Sequence, residues 1–522
     1  MSSSSKYGFA IALGLSMSVV AYAQCPDRPS SGSVVADAPS IVSQNGVLSA
    51  QFTMAQSVDN FGYTHYCYKY SAGSQIIESP TLRLNPGDTL ALNVIDNNTP
   101  PEIGGMKMDM SPVGAPVCGD TGTATVSSTN VHFHGLNVPP KCHQDDVITT
   151  LIQPGSPGFQ YSMKIPSAEP PGLYWYHPHV HGFTEFQVNG GAAGALVVEG
   201  MEKYRPEVAG LTERVFVIRQ QFLVPWVPGP YQLTLNYQVA PLIKGQPPII
   251  QMKPGEKQFW RVANATLQDF LQLQFQVNGQ PEQLEMIALD GYPLAQTRMQ
   301  DTISIPPAGR AEFIVQAPPT GGTGLFVTNS KSTGPTGNFD DGQKLATIQL
   351  SNTAEGHHMP SAAAPADAQV LKFANLSEQP ATAQRKLFFS EEFGGTNGPI
   401  QFYITVDGQR QKVFEANEKP AIVTKVGAIE DWTIENRALE THAFHIHQIH
   451  FKVLEIDGKP APNQDLLDTI EIPYWEGNGH PYHSVKVRMD FRDPSTAGTF
   501  VFHCHILLHE DLGMMHKILV EP

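Results

Sequence analysis

The chain of 522 residues is 41% hydrophobic and only 16% charged, enough apolar material for several cores and too little charge for a disordered chain. Its formal charge of −16, with no basic cluster, argues against nucleic acid and anionic membrane surfaces as partners. Forty-five glycines and 43 prolines beside so few charges favour turn-rich sheets over helical bundles.

The first element is an export signal over residues 1–23: Lys6 precedes an apolar run from Tyr7 to Val20, and Ala21-Tyr22-Ala23 supplies small residues for cleavage. That run is shorter than the roughly 20 residues a spanning helix needs, and no later stretch is long and apolar enough for membrane insertion. A secreted or periplasmic location is expected, with Gln24 as the first mature residue, and disulfides are permitted there. Cys25, Cys67, Cys118 and Cys142 all precede residue 150, whereas Cys504 stands between two histidines. Four cysteines allow three pairings; Cys25 with Cys67 and Cys118 with Cys142 is the preferred one.

A repeat then appears three times. Leu84-Asn85-Pro86-Gly87-Asp88-Thr89-Leu90 is answered by Met252-Lys253-Pro254-Gly255-Glu256-Lys257-Gln258 and, more weakly, by Thr424-Lys425-Val426-Gly427-Ala428-Ile429-Glu430. Asp96, Asn264 and Asn436 each stand nine residues beyond the glycine, and the glycines are 168 and 172 positions apart, one domain length. Each copy predicts a turn and then a half-buried strand. A second element, Gly172 to His177, recurs as Gly324 to Asn329 and Gly498 to His503. Domains are therefore expected at 24–200, 205–350 and 391–522, each a two-sheet Greek-key barrel or sandwich. The Ala/Pro/Ser-rich stretch 351–390 is expected to be an extended connection, the alternative being an extra strand of a neighbouring domain.

Histidines punctuate the outer two domains. Random placement of 19 histidines gives roughly 0.7 His-x-His pairs; five occur, at 132/134, 177/179, 179/181, 445/447 and 503/505, and none of the histidines lies between His181 and His357. On a strand, residues i and i+2 leave the same face, so both rings can address one metal cluster. Cys504 narrows the metal to copper or zinc, and the run His503-Cys504-His505-Ile506-Leu507-Leu508-His509-Glu510-Asp511-Leu512-Gly513-Met514 favours copper. Two histidines and a cysteine with an axial methionine make a blue-copper site, here from Cys504, His509, Met514 and His442. Cys504 points away from the face shared by His503 and His505, so one peptide touches two metal sites.

The segments His132-Phe133-His134-Gly135, Trp175-Tyr176-His177-Pro178-His179, His442-Ala443-Phe444-His445-Ile446-His447 and His503 to Met514 resemble the four copper motifs of the multicopper oxidases. Nearly the whole mature chain is similar to that family, and the His-Glu-Asp-x-Gly-Met-Met ending is more similar to bacterial laccase-like and cuprous-oxidase members than to fungal laccases. The resemblance implies an all-β chain of three consecutive cupredoxin-like Greek-key β-barrel domains, with no copper ligands in the second. It implies four copper ions: type 1 on His442, Cys504 and His509 with Met514 axial, and type 2 on His132 and His445. The type 3 pair would use His134, His177 and His505 on one ion and His179, His447 and His503 on the other. Ala443 stands where many relatives have proline, which removes no ligand.

Reducing dioxygen to water consumes protons, so acids should stand beside such a cluster. Asp145, thirteen residues after His132, resembles the family's carboxylate near type 2, with Asp146 as its rival; Glu510 resembles a proton-delivering glutamate. The expected partners are O2 and small reducing substrates, with phenols and aromatic amines as leading donors and a cuprous-ion oxidase as the alternative. A copper-buffering protein is the non-enzymatic alternative, and nothing in the sequence sets an oligomeric state. The thioethers of Met106, Met108 and Met110, and more weakly the group His357, His358 and Met359, hint at Cu(I) binding, but ordinary loop residues are the stronger expectation for both. Glu440, two residues before His442, could orient a phenol near the edge where electrons enter, but a solvated loop charge is the stronger expectation.

Overall fold

The structure, a computed structural model, describes residues 24–58, 63–99, 107–108, 118–221, 232–241, 245–352, 356–361, 371–394 and 400–522. Gly87, Gly255 and Gly427 adopt φ of 90°, 71° and 97°, the left-handed region that glycine enters without steric cost. Each turn launches a strand: Thr89–Asp96, Lys257–Ala265 and Ile429–Asn436. These strands pair parallel with Val47–Val58, Thr212–Gln221 and Ala383–Phe393, and antiparallel with Phe159–Lys164, Arg310–Gln316 and His483–Asp490. Between the members of each parallel pair the chain visits the facing sheet, through Thr81–Leu84, Ile249–Met252 or Ile422–Lys425. That crossover is a Greek-key connection. The second repeated element behaves equally regularly: Gly172–His177, Gly324–Thr328 and Gly498–Cys504 pair antiparallel with Gly194–Val198, Gln343–Leu350 and Met515–Glu521. The chain is thus all-β, three consecutive cupredoxin-like barrels.

Alternation along the repeated strands fills each barrel. Trp260 and Trp432, five residues after their glycines, are fully buried, Trp260 with ring edges of Phe216, Phe275 and Phe326 at 5.0 to 5.5 Å and Trp432 against Phe502 at 5.5 Å. Burying such a side chain contributes about 2–3 kcal/mol over leaving it in water. Phe52, Tyr68, Phe133 and Tyr176 fill the first barrel in the same manner.

The repeated polar residue at the strand's end has a local task. The side-chain Oδ1 of Asp96, Asn264 and Asn436 accepts from the backbone N–H two residues on, at 2.8, 3.1 and 2.9 Å, turning the chain out of the strand. The two asparagines also donate through Nδ2 to Ile305 O and Ile472 O. In Asp96 the second oxygen has no hydrogen-bond partner among the described residues, and burial raises its carboxyl to about 8. Because the folded value lies above the unfolded one, the fold holds a proton that the unfolded chain releases. Stability from this group is full below about pH 4 and falls until the folded value is passed. Asp96→Asn is therefore expected to stabilise by an amount on the order of 2 kcal/mol above pH 8, with no gain near pH 4. Thermal unfolding across that range checks it; a variant that tracks the parent at every pH refutes it.

Buried ion pairs join the first barrel to the second: Arg83 meets Glu213 at 2.8 Å, Arg261 pairs with both Glu213 and Glu312, and Glu312 accepts from the Leu173 N–H at 2.8 Å. Losing one partner of such a pair costs about 3–5 kcal/mol because the other charge is stranded. The N-terminal segment also crosses over, Val34 bridging to Ile249 and Val35 lying in the second core.

The stretch read as a connection contains strands of both its neighbours, the alternative named for it. The strand Ala383–Phe393 starts inside it, since Leu387 and Phe389 alternate inwards to the third core. Within the same stretch His357–His358 forms a short exposed strand on Thr212–Glu213, while Met359 is buried. The disulfides are Cys25–Cys67 and Cys118–Cys142, and Cys504 is buried and unpaired. Met106 and Met110 lie outside the described residues; Lys107–Met108 is a strand on Ala124–Thr125. Among the described residues no helix is long and apolar enough to cross a membrane.

Candidate metal centres

Strand register assembles the histidines. His132–His134 runs antiparallel to Gly172–His177 with His132 opposite His177, and His442–Ile446 runs antiparallel to Gly498–Cys504 with His445 opposite His503. Side chains directly across a pair share a face, so the first and third barrels each present a patch of imidazoles. The patches meet: His132 stacks on His447 with centroids 3.9 Å apart, and His134 stacks on His445 at 4.0 Å.

Five trios of donors result among the described residues, each with one ligand atom per residue and all atoms within 4.8 Å of one another: His132, His134 and His445; His134, His177 and His505; His179, His447 and His503; His442, Cys504 and His509; and His132, Asp145 and His447. All are buried. The chain thus brings together every histidine and the cysteine that the resemblance assigns to copper, while His357 and His358 lie in none of these groups. Met514 is also fully buried; its N–H donates to His509 O at 2.8 Å and its carbonyl accepts from the Cys504 N–H at 3.0 Å. Cys504 faces away from His503 and His505, with its sulfur 3.5 Å from His442 Nδ1 and 3.9 Å from His509 Nδ1.

The rings are set up as metal ligands. His132 Nδ1 donates to Asp145, His177 Nδ1 to Pro178 O, His445 Nδ1 to Asp468 O and His134 Nε2 to Asp468 Oδ1. Fixing one nitrogen leaves the other as a lone pair, and in these four rings that other nitrogen is buried without a hydrogen-bond partner among the described residues. His503 Nδ1 donates to Cys504 O, while its Nε2 lies 3.2 Å from His447 Nε2 and 3.4 Å from His179 Nε2. Burial, reinforced by neighbouring rings, holds His134, His177, His179, His445, His447 and His505 well below the ordinary histidine range. Neutral, converging, unsatisfied imidazoles are costly unless a cation occupies their centre. Burial likewise pushes the Cys504 thiol up, so its thiolate requires a cation beside it. The donor set fits copper ions.

Carboxylates surround both centres. Asp145, and not Asp146, touches His132, at 3.0 and 3.1 Å; it also accepts from the Phe133 N–H and from Gln448 Nε2 at 2.6 Å. Asp146 turns away to accept from the N–H groups of Ile148 and Thr149 in the turn that follows. Glu510 is fully buried with Oε2 3.2 Å from His503 Nδ1 and Oε1 3.5 Å from His179 Nε2. Burial and Asp511 hold it well above the carboxylate range.

Two contributors, Asp468 and Glu391, escaped sequence reading, with a third, Glu440, expected to be solvated. Asp468, behind His134 and His445, follows His447 by 21 residues with no motif around it. Glu391 Oε1 lies 3.4 Å from His442 Nε2, and Glu440 Oε2 lies 3.6 Å from His509 Nε2. Glu440 is not the solvated loop charge expected of it: it is 7% exposed, because Glu391 and Phe402 come over it and His509 from the hairpin of Ala383–Phe393 and Ile400–Val406. Burial and the like charge of Glu391 push its carboxyl up to about 9. Elsewhere, His450 is buried against Asp290 O and Asn137, and His181 sits edge-on to Phe414.

Comparisons agree with this geometry. Three multicopper oxidase family models match residues 124–203, 175–353 and 394–522. A Staphylococcus haemolyticus multicopper oxidase is 25% identical over 495 residues, covering 88% of this chain and 90% of its own length, and a Bacillus subtilis laccase is 22% identical over 425 residues, covering 75% and 79%. Among solved structures, a Campylobacter jejuni multicopper oxidase described as a metallo-oxidase superposes with a TM-score of 0.67 at 22% identity, covering 95% of this chain and 96% of its own. An Aquifex aeolicus multicopper oxidase gives 0.67 at 17% identity, covering 94% and 100%. With the family models spanning both ligand-bearing domains and the histidine-free one between them, the chain belongs to the multicopper oxidase family.

Proposed function

We propose that the chain holds four copper ions, type 1 on His442, Cys504 and His509 with Met514 axial, and a trinuclear cluster on the eight remaining histidines. Bound there, copper supplies the electron storage that couples one-electron donors to the four-electron reduction of O2 to water. The single observation that carries this is the position of Cys504, whose sulfur faces His442 and His509 while the adjoining His503 and His505 face the cluster. Around it the protein's own groups have separable tasks. Asp145 and Asp468 orient rings from behind, and Glu510 stands ready to pass a proton to the cluster side. Val147, Ile148, Phe414, Val501 and Met515 line a small apolar pocket against His179, a path suited to dioxygen. Two disulfides suit an exported protein.

For the donor we favour phenols and aromatic amines, which lose a proton with the electron. Burial and the like charge of Glu391 push the Glu440 carboxyl up to about 9, which places a group able to take up and release a proton 3.6 Å from the outer nitrogen of His509. A second reading, oxidation of a metal ion such as Cu(I), is favoured by the same pair acting as anionic ligands. Oxygen uptake by copper-loaded protein separates them: rapid uptake on a phenolic dye with little on Cu(I) supports the first, and the reverse supports the second. No uptake on either, from fully loaded protein, points to copper buffering.

A further inference from the structure

The middle domain contributes no histidine to the cluster, yet one of its side chains reaches the groups behind it. Arg310, on the strand Arg310–Gln316, is fully buried and grips Asp468 with both arms, Nη1 to Oδ1 at 2.7 Å and Nη2 to Oδ2 at 2.5 Å. Asp468 Oδ1 accepts from His134 Nε2 and its main-chain carbonyl accepts from His445 Nδ1, so one residue backs a ring from each outer barrel. A carboxylate held at both oxygens by a planar fork cannot rotate. The remaining Arg310 donors are engaged too: Nε with Leu173 O, at the start of the strand that carries His177, Nη1 with Ala308 O and Nη2 with Asp290 O. Asp290 in turn accepts from the N–H groups of Arg310, Asp468 and Thr469.

An independent feature points to the same contact. Gly135, directly after His134, sits at φ 86°, and a Cβ there would run into Arg310 Nη2 and Asp468 Oδ2. The glycine that closes the first histidine motif leaves room for this ion pair.

We infer that Arg310 is a positioning residue for the trinuclear cluster: the middle domain uses it to lock Asp468, and through Asp468 the rings of His134 and His445, towards the metal. The inference rests on the copper reading above. Lysine would preserve the charge but not the fork.

The test uses the full chain loaded with copper, as parent, Arg310→Met, Arg310→Lys, Asp468→Asn and the Arg310→Met/Asp468→Asn double variant. Copper per chain and the type 2 EPR spectrum are the readouts, with the blue type 1 absorption as internal control, since Arg310 touches none of its ligands. Arg310→Met is expected to weaken type 2 copper binding roughly 10–100-fold and to shift the type 2 hyperfine splitting, the scale of losing a group that orients a ligand. Arg310→Lys should show a smaller loss in the same direction. The double variant should lose no more than Asp468→Asn alone, because Arg310 acts through Asp468. Type 2 occupancy and EPR like the parent's in Arg310→Met, or additive losses in the double variant, overturn the inference. Should Arg310→Met fail to fold, Arg310→Lys decides by the same two readouts. A parent that takes up no copper at the cluster sinks the copper reading; a parent that loads fully beside unaffected variants sinks only the role of Arg310.

Discussion

Replacing Cys504 with serine is expected to abolish the blue absorption and to lower donor-driven oxygen consumption on the order of a thousandfold. The expectation follows from strand geometry. Cys504 turns its sulfur to His442 and His509, and its main chain continues directly into His503 and His505 on the other face. No other described residue joins the two centres by so short a covalent path. A serine hydroxyl is a hard, weakly acidic donor that does not suit this site, whereas the eight cluster histidines keep their hydrogen bonds and their facing lone pairs. Visible absorption, copper content and an oxygen electrode, read on one preparation, separate the outcomes. A colourless variant that keeps cluster copper and loses uptake fits; one that still oxidises donors at the parent's rate removes Cys504 from the electron path.

Glu510→Gln should produce the complementary failure, about a hundredfold slower oxygen reduction in a protein that is still blue. Glutamine preserves the shape of the side chain, whose oxygens lie 3.2 Å from His503 Nδ1 and 3.5 Å from His179 Nε2, but has no acidic proton to give. With donor in excess, the blue colour should bleach at the usual rate and return slowly when oxygen is admitted, because electron entry is untouched. Turnover and pH dependence unchanged from the parent would remove Glu510 from the proton path.

Local patterns carried most of this into the sequence. A histidine at i and i+2 on a strand needs no knowledge of the rest of the fold to be assigned to one face, and the three glycine turns each announce the strand that follows. What the sequence could not display was depth and cross-domain contact. Asp145 and Asp146 are chemically alike, and only the fold shows which one turns to His132. Glu440 looked solvated until the hairpin carrying Glu391 and Phe402 covered it. Arg310 and Asp468 are 158 positions apart in different domains, so neither carries a signal by itself. The start of the third barrel was placed late because the short alternation around Leu387 and Phe389 follows an Ala/Pro-rich run that masks it.

The most direct test of two wired centres is metal quantification combined with EPR on the fully loaded chain. Four coppers per chain are expected, half of them visible by EPR because the paired ions are spin-coupled, with one visible signal lost in Cys504→Ser and the other retained. Zinc in place of copper, or a copper content that a single mononuclear site accounts for, would contradict it.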